Sequence, residues 1–216
     1  MSSSHRLLLF LRYPQPGHTK TRLIPALGAV GAAELQRQMA EYLLAKISHP
    51  SWETQIYFTG ASQLDMQSWL GVQQTYRVQS QGDLGERLWS GFQSAFAEGE
   101  TPSPQLNRVI AVGADCPDLS VRHIRQAFEQ LDRHDVVLGP AKDGGYYLIG
   151  LRQSALGKKP PQKSLFTDIS WSTDAVLQQT IEKAQKLNLS TVQLETLSDI
   201  DRPQDLAIWH RLQTAA

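Results

Sequence analysis

The segment spanning residues 108–120 (RVIAVGADCPDLS) constrains the fold more than any other part of the chain. Residues 109–112 form a continuous apolar run of strand length, as expected for a strand covered on both faces of an α/β sheet. Gly113 then lets the backbone turn, and Asp115 and Asp118 follow. Because ligands bind at the carboxyl ends of strands in open α/β sheets, both carboxylates are predicted to lie at the functional edge.

Asp115 and Asp118 would repel each other unless a cation lies between them. Carboxylate oxygens suit Mg²⁺ or Mn²⁺, which is typically held by one or two carboxylates together with phosphate oxygens of a substrate. The same residues also fit a structural role, in which Asp118 caps the next helix or turns the loop and Asp115 is merely exposed. Ser120 is the predicted N-cap of that helix.

Composition excludes several classes of protein. A chain of 216 residues fits one domain spanning residues 1–216. Lys+Arg and Asp+Glu both number 21, so no overall field favours nucleic acid or an anionic membrane. Cys116 is the sole cysteine, which favours a reducing cytoplasm, and no apolar run reaches the ~18 residues of a membrane span. We therefore expect a cytoplasmic protein with no membrane span and no nucleic-acid partner.

Strand-like and helix-like patterns alternate along the chain. Strands are predicted at residues 7–11, 55–59, 76–78, 109–112, 135–138, 146–151 and 191–194. Helices are predicted at residues 29–47, 63–70, 88–96 and 121–131, at 176–184 with Ser172 as N-cap, and after Pro203. Residues 98–105 and 157–163 are predicted linkers. This alternation predicts an α/β three-layer sandwich with a mostly parallel mixed sheet, and the compact strand pair around Asp143 indicates an antiparallel strand near the site.

The loop at residues 14–22 (PQPGHTKTR) follows the first strand and is rich in turn formers and positive charge. Gly17 makes its backbone flexible, and Lys20 and Arg22 suit a phosphate group as a point charge and a planar fork, so all three belong to a predicted phosphate site. It is not a Walker loop, because Thr19 stands where that motif needs glycine. A solvated basic loop is the alternative interpretation.

A second loop, at residues 82–87 (GDLGER), opens a helix and places backbone amides and Arg87 where an anion is favoured. Gly82 and Asp83 belong to the same predicted anion site. Asp83 with Glu86 three residues later also fits a capping box, and this structural role is compatible with the functional one.

Two further loops carry acids. Asp143 precedes two glycines, where the backbone can approach a ligand closely, and it is a hypothetical catalytic base. The alternative is a tight connection without a catalytic role. Asp199 and Asp201 come just before the last helix, where acids usually cap the helix or complement its dipole, and a second metal ligand is the other role considered.

Five motifs together resemble a known family. They are P-x-P-G-x-x-K-T-R-L, Q-G-D-L-G-E-R-L, G-A-D-C-P-D-L, P-A-K-D-G-G-Y-Y-L and D-I-D-R-P-Q-D-L. Their order and spacing resemble a bacterial family of small GT-A type glycosyltransferase-like proteins, some of which are assigned to arsenosugar biosynthesis. The resemblance covers residues 7–206 and implies the fold of the nucleotide-diphospho-sugar transferases.

The resemblance implies a role for each loop. For the metal, it implies Asp115 as the better ligand, Asp118 as the second, and Asp201 close by. For the donor, it implies that Lys20 and Arg22 hold the diphosphate and that Gly82, Asp83 and Arg87 border the nucleotide. Asp143 would lie near the sugar or acceptor.

The predicted function is Mg²⁺- or Mn²⁺-dependent transfer of a sugar from a nucleoside-diphosphate sugar to a small-molecule acceptor, with Asp143 as the base if the reaction inverts. Residues 157–171 are the expected acceptor-side loop. One alternative is a nucleotidyltransferase that releases pyrophosphate, although such enzymes usually carry G-x-x-x-R-M/L-G after the first strand. Another is a nucleotide-binding protein without turnover.

Overall fold

The fold is taken from a computed structural model, which describes residues 5–98, 107–156 and 163–214. The described strands are His5–Arg12 (β1), Glu53–Thr59 (β2), Thr75–Val78 (β3), Arg108–Gly113 (β4), Val136–Pro140 (β5), Tyr146–Arg152 (β6) and Thr191–Gln193 (β7). The described α-helices are Ile24–Ile47 (α1), Gln63–Leu70 (α2), Leu84–Glu98 (α3), Val121–Gln130 (α4), Lys163–Phe166 (α5), Val176–Lys186 (α6) and Leu206–Thr214 (α7).

The strands form one mixed sheet in the order β3-β2-β1-β4-β6-β5-β7. Only β6 runs antiparallel to its neighbours, β4 and β5, among the strands of the described ranges. A tight turn joins β5 to β6, and such a short connection can link only antiparallel strands, whereas parallel neighbours need a crossover. The prediction of a mostly parallel mixed sheet is confirmed, and so is the antiparallel strand beside Asp143.

Alternate residues of the central strands face different helix layers. Leu7 and Ile110 pack in a cluster with side chains of α1, α2 and α4, whereas Leu8 and Ala111 pack with α3, α5 and α6. Leu8 and Ala111 are also opposite each other in the parallel β1–β4 ladder. Both faces of the strands are therefore covered, which explains why residues 109–112 are apolar without alternation.

A third cluster lies beside the sheet and matters for the site. It joins the buried Leu23, Met39, Ile200 and Trp209. Leu23 follows the basic loop, and Ile200 lies between Asp199 and Asp201. This cluster therefore holds the chain before α7 against the start of α1.

One helix start agrees with the sequence prediction and another does not. Helix α1 spans Ile24–Ile47, but Gly28 interrupts it with a φ of 70° and a ψ of 167°, so the uninterrupted helix begins at about residue 29, as predicted. The N-cap of α6 is Ala175, so the prediction of Ser172 as its cap is wrong. Ser172 has a φ of 66°, in the left-handed region, whereas an N-cap residue is typically extended. The predicted linker at residues 157–163 lies outside the described residues apart from its last residue, and that at 98–105 apart from its first.

Within the described ranges, none of the helices combines the length and apolarity that a transmembrane segment needs.

Candidate functional site

The basic loop after β1 and the acidic loop after β4 meet at the carboxyl edge of the sheet. Lys20 Nζ lies 2.7 Å from Asp115 Oδ1 and also donates a hydrogen bond to the carbonyl of Ile200. Arg22 forms an ion pair with Asp201. Cations from the start of the chain and acids from its middle and end thus share one edge, where loops that follow parallel strands meet.

The backbone around Lys20 explains the different orientations of the two cations. Lys20 is left-handed, with a φ of 48°, and a 3₁₀ turn, Thr21–Leu23, follows it. Leu23 is anchored in the third cluster. The Lys20 side chain is consequently only 4% exposed, whereas that of Arg22 is 57% exposed. Arg22 therefore presents its guanidinium to solvent. Lys20 instead forms an internal tie, by which we mean its buried contacts to Asp115 and to the Ile200 carbonyl.

Backbone hydrogen bonds connect the segment at residues 197–201 to the loop after β4, to the end of β5 and to the loop after β5. Ile200 N–H donates to the Asp115 carbonyl at 2.9 Å, Leu197 N–H donates to Pro140 O at 3.0 Å, and Lys142 N–H donates to Leu197 O at 3.1 Å. These backbone bonds bring Asp199 and Asp201 to the edge that carries Asp115. The two predicted roles for Asp199 and Asp201 were capping and metal binding, and Asp205 supplies the carboxylate that accepts the N–H groups of Asp201 and Arg202. The metal-binding role of Asp201 stays a prediction.

Asp199 lies with the acids of this edge, although only Asp201 of this acidic pair was among the predicted metal residues. Burial raises its pKa, and the charge of Asp143 raises it further, with smaller contributions from Asp205 and Asp115. Asp201 raises the pKa of Arg22 through a hydrogen bond and its charge, and Asp143 and Asp199 add to this effect. The signal in the sequence was a second acid two positions before Asp201, on the other side of a fully buried isoleucine.

Asp143 stands in the tight turn between β5 and β6. Its Oδ1 accepts the Gly145 N–H at 2.8 Å, which fixes the carboxylate. Gly144 has a φ of 89°, and a Cβ there would collide with the Asp174 backbone. The close backbone approach that the two glycines predicted is thus made to Asp174. Asp143 as the catalytic base stays a prediction.

Asp118 lies apart from this arrangement. Its carboxylate oxygens are 3.1 and 3.3 Å from Arg211 NH2 on α7. The carbonyl of the preceding Pro117 accepts a hydrogen bond from Lys46 of α1 at 2.8 Å. The metal-ligand role of Asp118 stays a prediction, and in this conformation its carboxylate binds α7.

The loop before α3 has the predicted capping box. Glu86 N–H donates to Asp83 Oδ1 at 2.9 Å, and Asp83 N–H donates to Glu86 Oε2 at 3.2 Å. Arg87 Nε donates to the Gly82 carbonyl at 3.0 Å. These contacts stay within the loop itself.

Gly17, with a φ of 80° and open space around its Cα, is exposed in the basic loop. The anion-binding roles of Gly17, Gly82, Asp83 and Arg87 stay predictions.

Cys116 is buried next to the acids. Burial raises the pKa of its thiol, and the charges of Asp115 and Asp199 raise it further. The thiol is therefore neutral, which favours a packing role, since a nucleophile or a metal ligand would need the thiolate.

The acids of this edge carry the oxygen donors that Mg²⁺ and Mn²⁺ prefer. Across the described ranges, no three His, Cys, Asp or Glu side chains form a ready-made metal cluster. Mg²⁺ commonly uses only one or two carboxylates, together with waters and substrate phosphates, so such a site does not need a third protein ligand. Asp115 with Asp199 or Asp201 therefore fits Mg²⁺ or Mn²⁺ in donor type.

Comparisons with solved structures identify the class of protein. The chain is similar to a provisionally assigned nucleotide-diphospho-sugar transferase from Desulfovibrio desulfuricans G20, with 32% identity, a TM-score of 0.87 and coverage of 97% of this chain and 87% of the other. It shares its fold with the 4-diphosphocytidyl-2C-methyl-D-erythritol synthase of Anaerococcus prevotii DSM 20548, at 9% identity, 98% and 97% coverage and a TM-score of 0.59. It also shares it with Rv0371C of Mycobacterium tuberculosis H37Rv in complex with manganese, at 10% identity, 98% coverage of both chains and a TM-score of 0.53.

The fold and these comparisons place the protein in the GT-A-like nucleotide-diphospho-sugar transferase superfamily, which confirms the predicted fold class. More particularly, the chain belongs to the bacterial family described as "Uncharacterized protein conserved in bacteria (DUF2064)", whose sequence profile matches residues 43–173. No curated protein matches the chain. The association of some members with arsenosugar biosynthesis stays a prediction.

Proposed function

We propose that this protein is a metal-dependent glycosyltransferase that moves a sugar from a nucleoside-diphosphate sugar to a small-molecule acceptor. The observation that carries the proposal is the pairing of Lys20 with Asp115 and of Arg22 with Asp201 at the carboxyl edge of the sheet. The similarity to the Desulfovibrio protein supports the class of donor.

The charges of this edge favour a divalent cation. Four carboxylates lie within electrostatic reach of Lys20 or Arg22: Asp115, Asp143, Asp199 and Asp201. The acids thus outnumber the cations, and the raised pKa of Asp199 reflects both its burial and this repulsion. A bound Mg²⁺ or Mn²⁺ would supply Lewis-acid stabilisation of the charge that develops on the leaving diphosphate.

The side chains of the site divide the remaining work. Arg22 is exposed and has the planar fork that suits a phosphate, so it would bind the diphosphate. Lys20 would orient Asp115 from the buried side of the loop, because its ammonium is buried against that carboxylate. Asp143 is held by Gly145 N–H, and it would take the proton of an acceptor hydroxyl if the transfer inverts.

The decisive test replaces Asp115 by asparagine, which keeps the size of the side chain and removes its charge. We expect Mn²⁺-dependent release of nucleoside diphosphate from a panel of nucleotide sugars to fall about 10²–10³-fold, the scale of losing a key electrostatic stabiliser. Asp132→Asn is the matched control, since Asp132 pairs with Arg108 at the start of β4, away from the carboxyl ends of the strands, and its activity should stay within a few-fold. Undiminished turnover by Asp115→Asn at saturating Mn²⁺ would contradict the role of Asp115.

A nucleotidyltransferase is the second candidate, because the same fold occurs in a diphosphocytidyl-methylerythritol synthase. Release of pyrophosphate from a nucleoside triphosphate and a sugar phosphate, with no release of nucleoside diphosphate from nucleotide sugars, would favour this function. Binding of either nucleotide without turnover would indicate a binding protein.

A further inference from the structure

His123 and Glu195 form a contact that the proposed chemistry does not use. His123 lies in the first turn of α4 with a side chain that is 8% exposed, and its Nε2 is 2.5 Å from Glu195 Oε1. Helix α4 starts shortly after the Asp115 loop, and Glu195 lies four residues before Asp199. The contact therefore connects the two segments that carry the acids of the site.

The surroundings of His123 define its role as a donor to Glu195. The Ser120 N–H lies 3.0 Å from His123 Nδ1 and donates to it, which puts the ring proton on Nε2. Nε2–H then donates to the carboxylate, and this hydrogen bond is the first cause of the lowered pKa of Glu195. A hydrogen bond to a charged acceptor is stronger than a neutral one.

Glu195 is also held through other groups. Tyr147 of β6 donates its hydroxyl to the Glu195 carbonyl at 3.1 Å. Arg122 NH2 lies 2.5 Å from the same carboxylate oxygen, but the Arg122 side chain is 74% exposed. An exposed ion pair contributes little because water screens it, so His123 is the stronger side-chain anchor of the two.

From Glu195 the chain crosses the carboxyl ends of the strands toward the centre of the sheet. On this path Leu197 bonds to the loop that follows β5, and Ile200 N–H bonds to the Asp115 carbonyl. Fixing Glu195 to α4 thus fixes the start of this crossing segment, and the Ile200 bond fixes its end. Helix α4 also follows the Asp115 loop directly in the chain. The same helix therefore holds both acidic segments, one through the chain and the other through the His123–Glu195 contact.

We propose that His123 is a positioning residue: through Glu195 it sets residues 195–201 against the Asp115 loop, and so sets the spacing of Asp115 from Asp199 and Asp201. The consequence for catalysis rests on the proposed function, whereas the ordering of the segment does not.

The variant His123→Gln separates anchoring from capping. Glutamine three residues after Ser120 can still accept the Ser120 N–H in a capping box, but it then cannot reach Glu195 as well. Glu195→Ala removes the anchor from the other side, and Arg122→Gln removes only the exposed partner of the same carboxylate.

Hydrogen exchange read by mass spectrometry on the full chain tests the proposal. We expect His123→Gln and Glu195→Ala each to speed exchange about tenfold in peptides covering residues 196–202, the scale of one lost charge-assisted hydrogen bond. The double variant should be no faster than Glu195→Ala alone, Arg122→Gln should stay within about threefold, and exchange in α4 itself should be unchanged. Unchanged exchange at 196–202 in His123→Gln, or faster exchange confined to α4, would overturn the proposal.

Binding of Mn²⁺ alone, followed by electron paramagnetic resonance, gives a second readout that does not depend on turnover. We expect His123→Gln to weaken the affinity for Mn²⁺ about three- to tenfold and Arg122→Gln to leave that affinity unchanged. Equal Mn²⁺ affinities of the two variants would count against the positioning role of His123. If wild-type protein turned over no nucleotide sugar while the exchange results held, the glycosyltransferase proposal would fail and the positioning role would stand.

Discussion

Lys20 shows how local backbone geometry changes the role of a residue in a loop that the sequence marks as basic. Both Lys20 and Arg22 are predicted from the sequence to bind the diphosphate. The left-handed backbone at Lys20 turns its side chain inward to Asp115 and the Ile200 carbonyl, whereas Arg22 points outward. The two cations, only two residues apart, therefore have different consequences for stability.

Replacing Lys20 by methionine keeps most of the apolar stem but removes the charge. We expect the free energy of unfolding at pH 7 to fall by about 1–3 kcal/mol, because the buried carbonyl and Asp115 lose their shared donor. Arg22→Met is the control, and because its side chain is 57% exposed it should change the free energy by less than about 1 kcal/mol. Urea unfolding measures both, and equal losses would contradict the internal tie.

At the scale of elements, the Asp135 carboxylate helps to join the start of the edge strand β7 to the start of β5. Asp135, just before β5, accepts the Ser190 N–H at 3.0 Å and the Ser190 hydroxyl at 2.7 Å. Burial alone would raise the pKa of Asp135, but hydrogen bonds from Ser190 and the charge of Arg152 outweigh burial and lower it. This interaction ties the starts of β5 and β7 together, next to the segment that leads to Glu195.

The lowered pKa of Asp135 predicts a pH-dependent contribution to stability. Because the folded pKa lies below the unfolded value of about 3.9, the stabilisation is present above that value and is lost as the pH falls through the folded pKa. Ser190→Ala should therefore cost about 1–2 kcal/mol at pH 7 and progressively less below about pH 4. Denaturant unfolding across this range measures the difference.

Ser48→Ala provides the comparison for this prediction. The Ser48 hydroxyl donates to the Leu44 carbonyl at 2.6 Å, so its partner carries no titratable group. The decrease in the free energy of unfolding caused by Ser48→Ala should be the same at pH 3.5 and pH 7. A Ser190→Ala loss that is equally independent of pH would contradict the role of the Asp135 carboxylate.

At the scale of the whole molecule, the third cluster couples the last helix to the site. Trp209 of α7 is 6% exposed and packs edge-on against Tyr42 of α1 with ring centroids 5.6 Å apart. Ile200 is fully buried in the same cluster, and it separates Asp199 from Asp201. Packing of α7 against α1 in the third cluster therefore holds the segment that carries two acids of the candidate site.

Trp209→Ala tests this coupling. We expect a loss of about 3–5 kcal/mol in the free energy of unfolding, the usual cost of a large cavity, together with weaker Mn²⁺ binding because Ile200 loses its support. Trp69→Ala is the control, since Trp69 is only partly buried on α2, where its indole N–H donates to Glu41 at 2.7 Å. A destabilised Trp209→Ala protein that binds Mn²⁺ as wild type does would show that the cluster and the site are independent.

The sequence predicted the strands and their order of alternation because apolar runs and turn residues act locally. Residues 109–112 could be placed on a doubly covered strand, and Asp115 at the carboxyl end of it, from the run of apolar residues and Gly113 alone. Asp118, only three residues later, could not be separated from Asp115 in this way. Its partner is Arg211, 93 residues further along the chain, and no local pattern records such a contact.

The sequence by itself thus determined the α/β class, the layers and the edge at which acids and cations would gather, since each depends on short-range periodicity and on the geometry of parallel strands. The tertiary structure alone decided which charges meet: Lys20 turned inward, Asp199 joined the acids and Asp118 was drawn to α7. The physical reason is that these choices depend on left-handed backbone at one residue and on packing between segments up to 180 residues apart, as in the bond from Lys20 to Ile200.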